Sequence, residues 1–288
     1  MIKPGLPARA FDKAAFGIEH QLAKLDLFSD DYITRLADLY TAEGRDYFVS
    51  TPAPSASTSF FDVAHGMCTP KEALVRLPKQ PVRILLKLLE NHDEGFRALR
   101  DSLLEEIRTM CGIEGPVFRA RAALFISSAR AITPVHFDPE VNFFLQVEGE
   151  KQFHTYSPSV VPAPELERFY ARGEVSVCNV DLERLPDSAR ETFKLSPGLG
   201  LHQPQNSPHW VETGPGRSVS YSLVFETPRG RQHARVNAFN SYLRSAGLKP
   251  PQPGSQPLRD ALKGATMRVA TPIRRKAVHL HKRFVQGA

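Results

Sequence analysis

Cysteine is scarce in this chain and does not pair: Cys68, Cys111 and Cys178 are odd in number, widely spaced and outside any CxxC pattern. That argues against a disulfide framework and a thiolate zinc site, and leaves three small, apolar residues with a packing role. Long hydrophobic runs are missing too. No stretch approaches the roughly 18 apolar residues of a membrane span, and the opening MIKPGLPARAFDKAAF has no apolar run of signal-peptide length. The expectation is a cytoplasmic protein that is not transmembrane. Acid is almost absent from one end: from Arg229 to Ala288 a single acid, Asp260, faces thirteen Lys and Arg, so this region carries +12 in a chain of net charge +6. The first 228 residues are therefore net acidic, and the basic character says nothing about chemistry there.

What is present is globular. A hydrophobic content of 41% and a charged content of 24% over 288 residues exclude wholesale disorder and suffice for one sizeable core with helical additions. Residues 1–114 read as a helical N-terminal region packing on that core. Ser29 precedes Asp30 and Asp31, an N-cap with an acidic first turn, and Ile33, Leu36, Ala37 and Tyr40 then share a helical face. Thr69-Pro70-Lys71-Glu72 is a capping box with proline at the first helical position. Phe96, Leu99, Leu103 and Ile107 recur at helical spacing, and Gly112 stands where a C-terminal cap is needed. The run Thr51–Ser59 reads as a loop. Residues 115–228 change texture to short β-type runs between turn residues, among them VFRARAALFI, ITPVHFD, NFFLQVEG, KQFHTY, HWVE and SVSYSLVFE, as in a sandwich or small barrel. Residues 229–288 return to helix, broken by KPPQPGSQP, and form a basic helical extension.

Within the β region stands His136-Phe137-Asp138. On a strand, residues two apart point to the same face, so an imidazole and a carboxylate there can grip one metal ion. Such a short pattern also arises by chance, and His92-Asp93-Glu94 is a second instance; it opens a helix, where residues two apart diverge. A third ligand is on offer downstream in Pro197–His209. Two histidines and one carboxylate make the facial triad that suits non-haem iron, because three coordination positions stay open, whereas zinc prefers a closed tetrahedral set or one open site.

The run from Ile132 to Pro158, ITPVHFDPEVNFFLQVEGEKQFHTYSP, resembles the core of the JmjC-type oxygenases, in the branch that contains the asparaginyl hydroxylase of hypoxia-inducible factor. Thr133, His136, Asp138, Asn142, Phe143, Phe144 and Lys151 stand in the family's register without a gap, and PGLGLHQPQNSPHWVE resembles its later segment, which places the distal ligand at His209. Leu199 replaces the family's aspartate after Pro197-Gly198, and Ser207-Pro208 replaces its aromatic pair. The resemblance implies an α+β fold with a double-stranded β-helix core, a jelly-roll of the cupin and JmjC kind, flanked by N-terminal and C-terminal helices. It implies Fe(II) on His136, Asp138 and His209. For 2-oxoglutarate it implies Lys151 against the remote carboxylate, Thr133 donating to the same group, Asn142 near the chelated end, and an inward polar residue on the last strand, Ser220 or Ser222, of which Ser222 is preferred. His154, three residues from Lys151, is expected on the opposite face and structural.

The implied activity is a dioxygenase that couples oxidative decarboxylation of 2-oxoglutarate by O2 to hydroxylation of a protein side chain or small molecule. The competing reading is a cupin-like metal-binding regulatory protein without turnover; a third is a metal-dependent isomerase or hydrolase. In the extension, Ile273, Ala277, Leu280 and Phe284 form an apolar stripe beside Arg274, Arg275, Lys276, Lys282 and Arg283. That pattern fits a homodimer through C-terminal helices or an anionic partner.

Overall fold

The computed structural model describes residues 1–3, 5, 7–172 and 178–270. The expected helix starts and stops are in place. Helix α1 (Asp30–Glu43) begins where the Ser29 hydroxyl accepts from the Tyr32 amide, and α2 (Pro70–Arg76) where Thr69 and Glu72 cap each other reciprocally. A four-residue α3 (Leu89–His92) precedes α4 (Glu94–Cys111), which is capped at its start by Asp93 and at its end by Gly112 in left-handed conformation. The middle residue of the second pattern, Asp93, is thus an N-cap whose carboxylate accepts from the Phe96 amide at 2.9 Å, and Glu94, its acid two residues after His92, is the first residue of α4.

Among the described residues twelve strands form two antiparallel sheets. In chain order they are β1 (Phe16–Glu19), β2 (Tyr47–Ser50), β3 (Arg83–Lys87), β4 (Phe118–Ser127), β5 (Ile132–Phe137), β6 (Val141–Glu148), β7 (Lys151–Thr155), β8 (Cys178–Asn179), β9 (Glu191–Leu195), β10 (Leu199–Gln203), β11 (His209–Thr213) and β12 (Ser218–Glu226). The large sheet runs β1-β10-β6-β12-β4-β3-β2, and the small one β8-β5-β11-β7-β9. This is the jelly-roll architecture expected. The helical reading of residues 1–114 is corrected in one respect: it omits β1, β2 and β3, which extend both edges of the large sheet. These strands are four or five residues long, too short for a period of two to stand out in sequence.

Strand alternation divides the large sheet into two chemical faces. On the outer face Ile84, Leu86, Ala122, Leu124, Ile126, Phe143, Leu145, Val219, Tyr221, Leu223 and Phe225 join the buried sides of α1 and α4 in the main hydrophobic cluster. The inner face carries Phe144, Phe125 and Leu201, which meet Phe153, Leu195 and Val211 of the small sheet. The same inner face also carries Asn142, Gln146, Ser218, Ser220 and Ser222, all buried. Polar groups are thus concentrated inside, where each needs a partner or a ligand.

Two compact units divide the chain: Met1–Val160 with Asn179–Glu226, and Val161–Cys178 with Thr227–Ala288. The second contains α5 (Ala163–Arg172), α6 (Pro228–Ser245) and a helical stretch over 257–270. Within it Arg244 of α6 grips Glu167 of α5 through two hydrogen bonds of 2.7 and 3.0 Å. A concavity of about 530 Å³ there is edged by Arg229, His233, Asp260 and Arg268, and among the described residues it has no metal-ligating cluster. The tail stripe from Ile273 to Phe284 and its flanking basic residues lie outside the described residues.

One turn governs where Lys151 begins its strand. Gly149, between β6 and β7, has φ +67°, and a Cβ there would stand 2.1 Å from the Arg217 carbonyl oxygen. Gly149→Ala meets both a left-handed backbone and a backbone clash, so it is expected to destabilise the fold by about 2 kcal/mol or more in urea unfolding. A loss below about 0.5 kcal/mol would mean that the turn relaxes freely.

A candidate metal and dicarboxylate centre

Three ligand atoms converge at one end of the barrel. Asp138 Oδ2 lies 3.9 Å from His136 Nε2 and 3.8 Å from His209 Nε2, and all three donors fit within 4.8 Å of one another. Both imidazoles are turned the same way by their own backbone. His136 Nδ1 is 2.7 Å from the Pro134 carbonyl and His209 Nδ1 is 3.1 Å from the Ser207 carbonyl. A carbonyl only accepts, so each Nδ1 carries the proton and each Nε2 presents a lone pair to the common centre.

Burial reinforces this. Desolvation holds His136 down to about 4 and His209 well below its ordinary value, so both rings are neutral and ligand-competent. Desolvation pushes the Asp138 carboxyl up to about 7 although Arg121 opposes it. A divalent cation at the centre supplies the charge this carboxylate lacks. The donor set therefore fits such an ion on electrostatic as well as geometric grounds.

The strands reach this geometry by an irregularity. His136 pairs with His209 and Thr133 with Val211, so between these pairs β5 holds one residue more than β11. In a regular strand Thr133 and His136, three apart, face opposite ways; the bulge around Pro134 turns both inward. Proline, with no amide to give to the ladder, fits there. On the far side Asn206, in left-handed conformation, donates its amide to the Asp138 carbonyl at 2.9 Å and ties the turn before His209 to the other two ligands. Sequence reading missed Asn206; a buried asparagine in a turn beside a ligand is the only signal it leaves.

Lys151 starts β7 opposite Thr213 and Leu195 and is buried, with its ammonium 5.2 Å from the Phe144 ring centre and 5.9 Å from that of Phe125. Desolvation, followed by the field of Arg83, pulls it down to about 7. No carboxylate partners it among the described residues. Asn142 and Ser222 are brought together, the serine hydroxyl donating to Asn142 Oδ1 at 2.8 Å, and Ser220 likewise donates to Gln146 Oε1 at 2.7 Å. Both serines face inward. Beside Asn142 in register is Gln203, also inward, whose amide nitrogen donates to the Ser207 carbonyl at 2.9 Å. His154 faces away, stacked on Trp210 with ring centres 3.8 Å apart and its Nδ1 2.9 Å from the Thr192 hydroxyl.

The protein-family model for the cupin-like domain matches residues 69–229. The chain belongs to that family. Its cupin-like core is also similar, at 36% identity over 101 residues, to lysine-specific demethylase 8 of Danio rerio; the match spans 33% of this chain and 24% of that relative. Among solved structures, the X-ray structure of E. coli ycfD superposes with a TM-score of 0.55 at 17% identity, covering 94% of this chain and 68% of ycfD. A second structure, of YcfD as a ribosomal oxygenase in complex with cobalt and 2-oxoglutarate, gives 0.52 at 16% identity over 94% of this chain and 68% of that one. At these identities the likeness is one of fold.

His136→Ala and Asp138→Ala are each expected to abolish stoichiometric Mn(II) or Fe(II) binding while leaving the cooperative unfolding transition in place, because one of three ligands is lost from a centre that the core does not need for packing. Isothermal titration with circular dichroism checks both halves; metal stoichiometry unchanged in both variants would remove the triad.

Proposed function

We propose that this protein is an Fe(II)- and 2-oxoglutarate-dependent dioxygenase that hydroxylates a protein side chain or a small molecule. The observation that carries the reading is Lys151, a buried lysine that has no carboxylate partner among the described residues and lies in the same barrel interior as three converging metal donors. A barrel that only stores or senses a metal has no use for a buried cation placed to meet a dicarboxylate, which argues against the cupin-like regulatory reading. The relatives support the same direction: YcfD is described as a ribosomal oxygenase with cobalt and 2-oxoglutarate bound, and the Danio rerio relative as a demethylase.

In this proposal His136, Asp138 and His209 hold Fe(II), which, once bound, supplies O2 activation coupled to oxidative decarboxylation of 2-oxoglutarate to succinate. The chain's own part is binding and exclusion. Lys151 pairs with the remote carboxylate, and Thr133, inward because of the β5 bulge, donates its hydroxyl to the same group. Asn142, held by Ser222, orients the end of the co-substrate nearest the metal. Phe125, Phe144 and Phe153 keep water from the chelate, with Phe153 stacked on His209 at 5.1 Å. The cytoplasm is the proposed location; no helix among the described residues is long and apolar enough to cross a membrane. The +12 region after residue 228 is proposed to serve association, with a second copy or with an anionic partner.

Succinate release from 2-oxoglutarate under air, with Fe(II) and without added substrate, tests the reading directly; its absence in a metal-loaded sample favours the regulatory alternative. Lys151→Met is expected to weaken 2-oxoglutarate binding by on the order of a hundredfold while leaving metal affinity within about twofold. The pH dependence has a definite sign. The ammonium form is the one that binds, so affinity for 2-oxoglutarate is level below about 7 and falls about tenfold per unit as pH rises above it. An affinity that is flat from pH 6 to about 9 in a titration series would separate Lys151 from the co-substrate.

A further inference from the structure

The barrel interior contains a second cation that sequence reading did not single out. Arg83 lies on β3, whose alternate residues Ile84 and Leu86 belong to the outer hydrophobic cluster, so Arg83 and Leu85 point the other way. Its strand neighbour is Ser127 of β4, itself opposite Ser218 of β12, and two pairs along the ladder, on the same face, Leu85 lies beside Phe125, the ring that Lys151 overlies. Arg83 is therefore on the inner face, in the same chamber as Lys151.

Three further observations define its surroundings. Among the described residues the guanidinium makes no hydrogen bond and no ion pair, although its position is desolvated enough to lower even an arginine to about 10. Its positive field acts on both Lys151 and His136, whereas Asp138 feels a different arginine, Arg121, which is paired with Glu140. Among the described residues no acid pairs with Arg83 or Lys151. Two like charges without a counter-ion in a low-dielectric chamber are unfavourable by themselves and become favourable together when one anion sits between them. A carboxylate suits that place, since one oxygen can take the lysine point charge while the planar arginine fork engages the other.

Resting on the dioxygenase reading above, we infer that Arg83 is a binding residue for the remote carboxylate of the dicarboxylate co-substrate, forming with Lys151 a two-cation clamp from opposite sheets of the barrel. The clamp makes the site selective for dicarboxylates over 2-oxo acids of equal length that end in a methyl group. It also ties β3, at the far side of the large sheet, to β7 of the small sheet through the bound ligand.

The test compares 2-oxoglutarate with 2-oxovalerate by anaerobic titration calorimetry on full-length protein loaded with Mn(II), so that binding is read without turnover. Arg83→Gln is expected to lower the preference for 2-oxoglutarate by about tenfold or more, the usual size for one charge-assisted hydrogen bond lost. Arg83→Lys keeps the charge without the fork and should fall between. Lys151→Met is the reference, and the double variant should show no preference. Mn(II) affinity and the unfolding transition should be preserved in Arg83→Gln, because it removes a cation that has no partner in the ligand-free chain. If Arg83→Gln and Arg83→Lys keep wild-type selectivity while Lys151→Met loses it, the inference fails and the co-substrate reading stands. If Lys151→Met keeps it as well, that reading fails with it.

Discussion

Because β5 holds one residue more than β11 between its pairings at Thr133 and His136, two side chains of opposite parity both enter the barrel, and much of the proposed site follows from that displacement. Without it, His136 stays inward and Thr133 turns to the face occupied by Val135, Tyr156 and Trp210. The bulge also bends the strand end, so that Asp138, just beyond β5, comes within 3.8 Å of His209 on the next strand. Strand pairing then fixes the rest. His209 sits opposite Thr155, and the same ladder leads four residues on to Lys151 opposite Thr213. A single register therefore sets the separation between His209 and the lysine.

The interior is arranged around charges that are not neutralised by one another. Several ions among the described residues are matched locally: Arg244 with Glu167, Lys263 with Asn240 and Asp260, Arg121 with Glu140. Lys151 and Arg83 on the inner face have no such partner among the described residues, and both have their ionised forms disfavoured by desolvation. Asp138 is disfavoured as an anion for the same reason. A divalent cation at the triad and an anion at the two basic side chains relieve all three at once, which is the electrostatic pattern of a binding chamber rather than a packed core.

The helix boundaries were legible in sequence because capping is local chemistry: Ser29, Thr69 with Glu72, and Gly112 each satisfy backbone groups within four residues. The His136 and Asp138 pair was legible because strand parity needs only two residues. Resemblance supplied His209, Lys151, Thr133 and Asn142, and the structure places all of them on the inner faces. Other features depend on long-range pairing, which no local pattern encodes. The three short N-terminal strands, the inward direction of Arg83 and the tie from Asn206 to Asp138 all arise from partners between about 30 and 180 residues away. Ser220 and Ser222 could not be separated by parity because residues two apart share a face; both are inward, and what differs is the amide each engages, Gln146 or Asn142.

Both imidazoles take their orientation from a carbonyl two residues upstream in their own strand or turn, Pro134 for His136 and Ser207 for His209. Main-chain oxygens are common to all twenty amino acids, so the tautomer of each ring is indifferent to which side chain occupies the supporting position, provided the chain keeps its bend. Residues 207 and 208, where this chain departs from the aromatic pair of the oxygenases it resembles, are thereby released from steering the distal histidine. Both are buried, so their side chains answer to local packing, and in this protein the wall beside the triad can change separately from the orientation of the ligands.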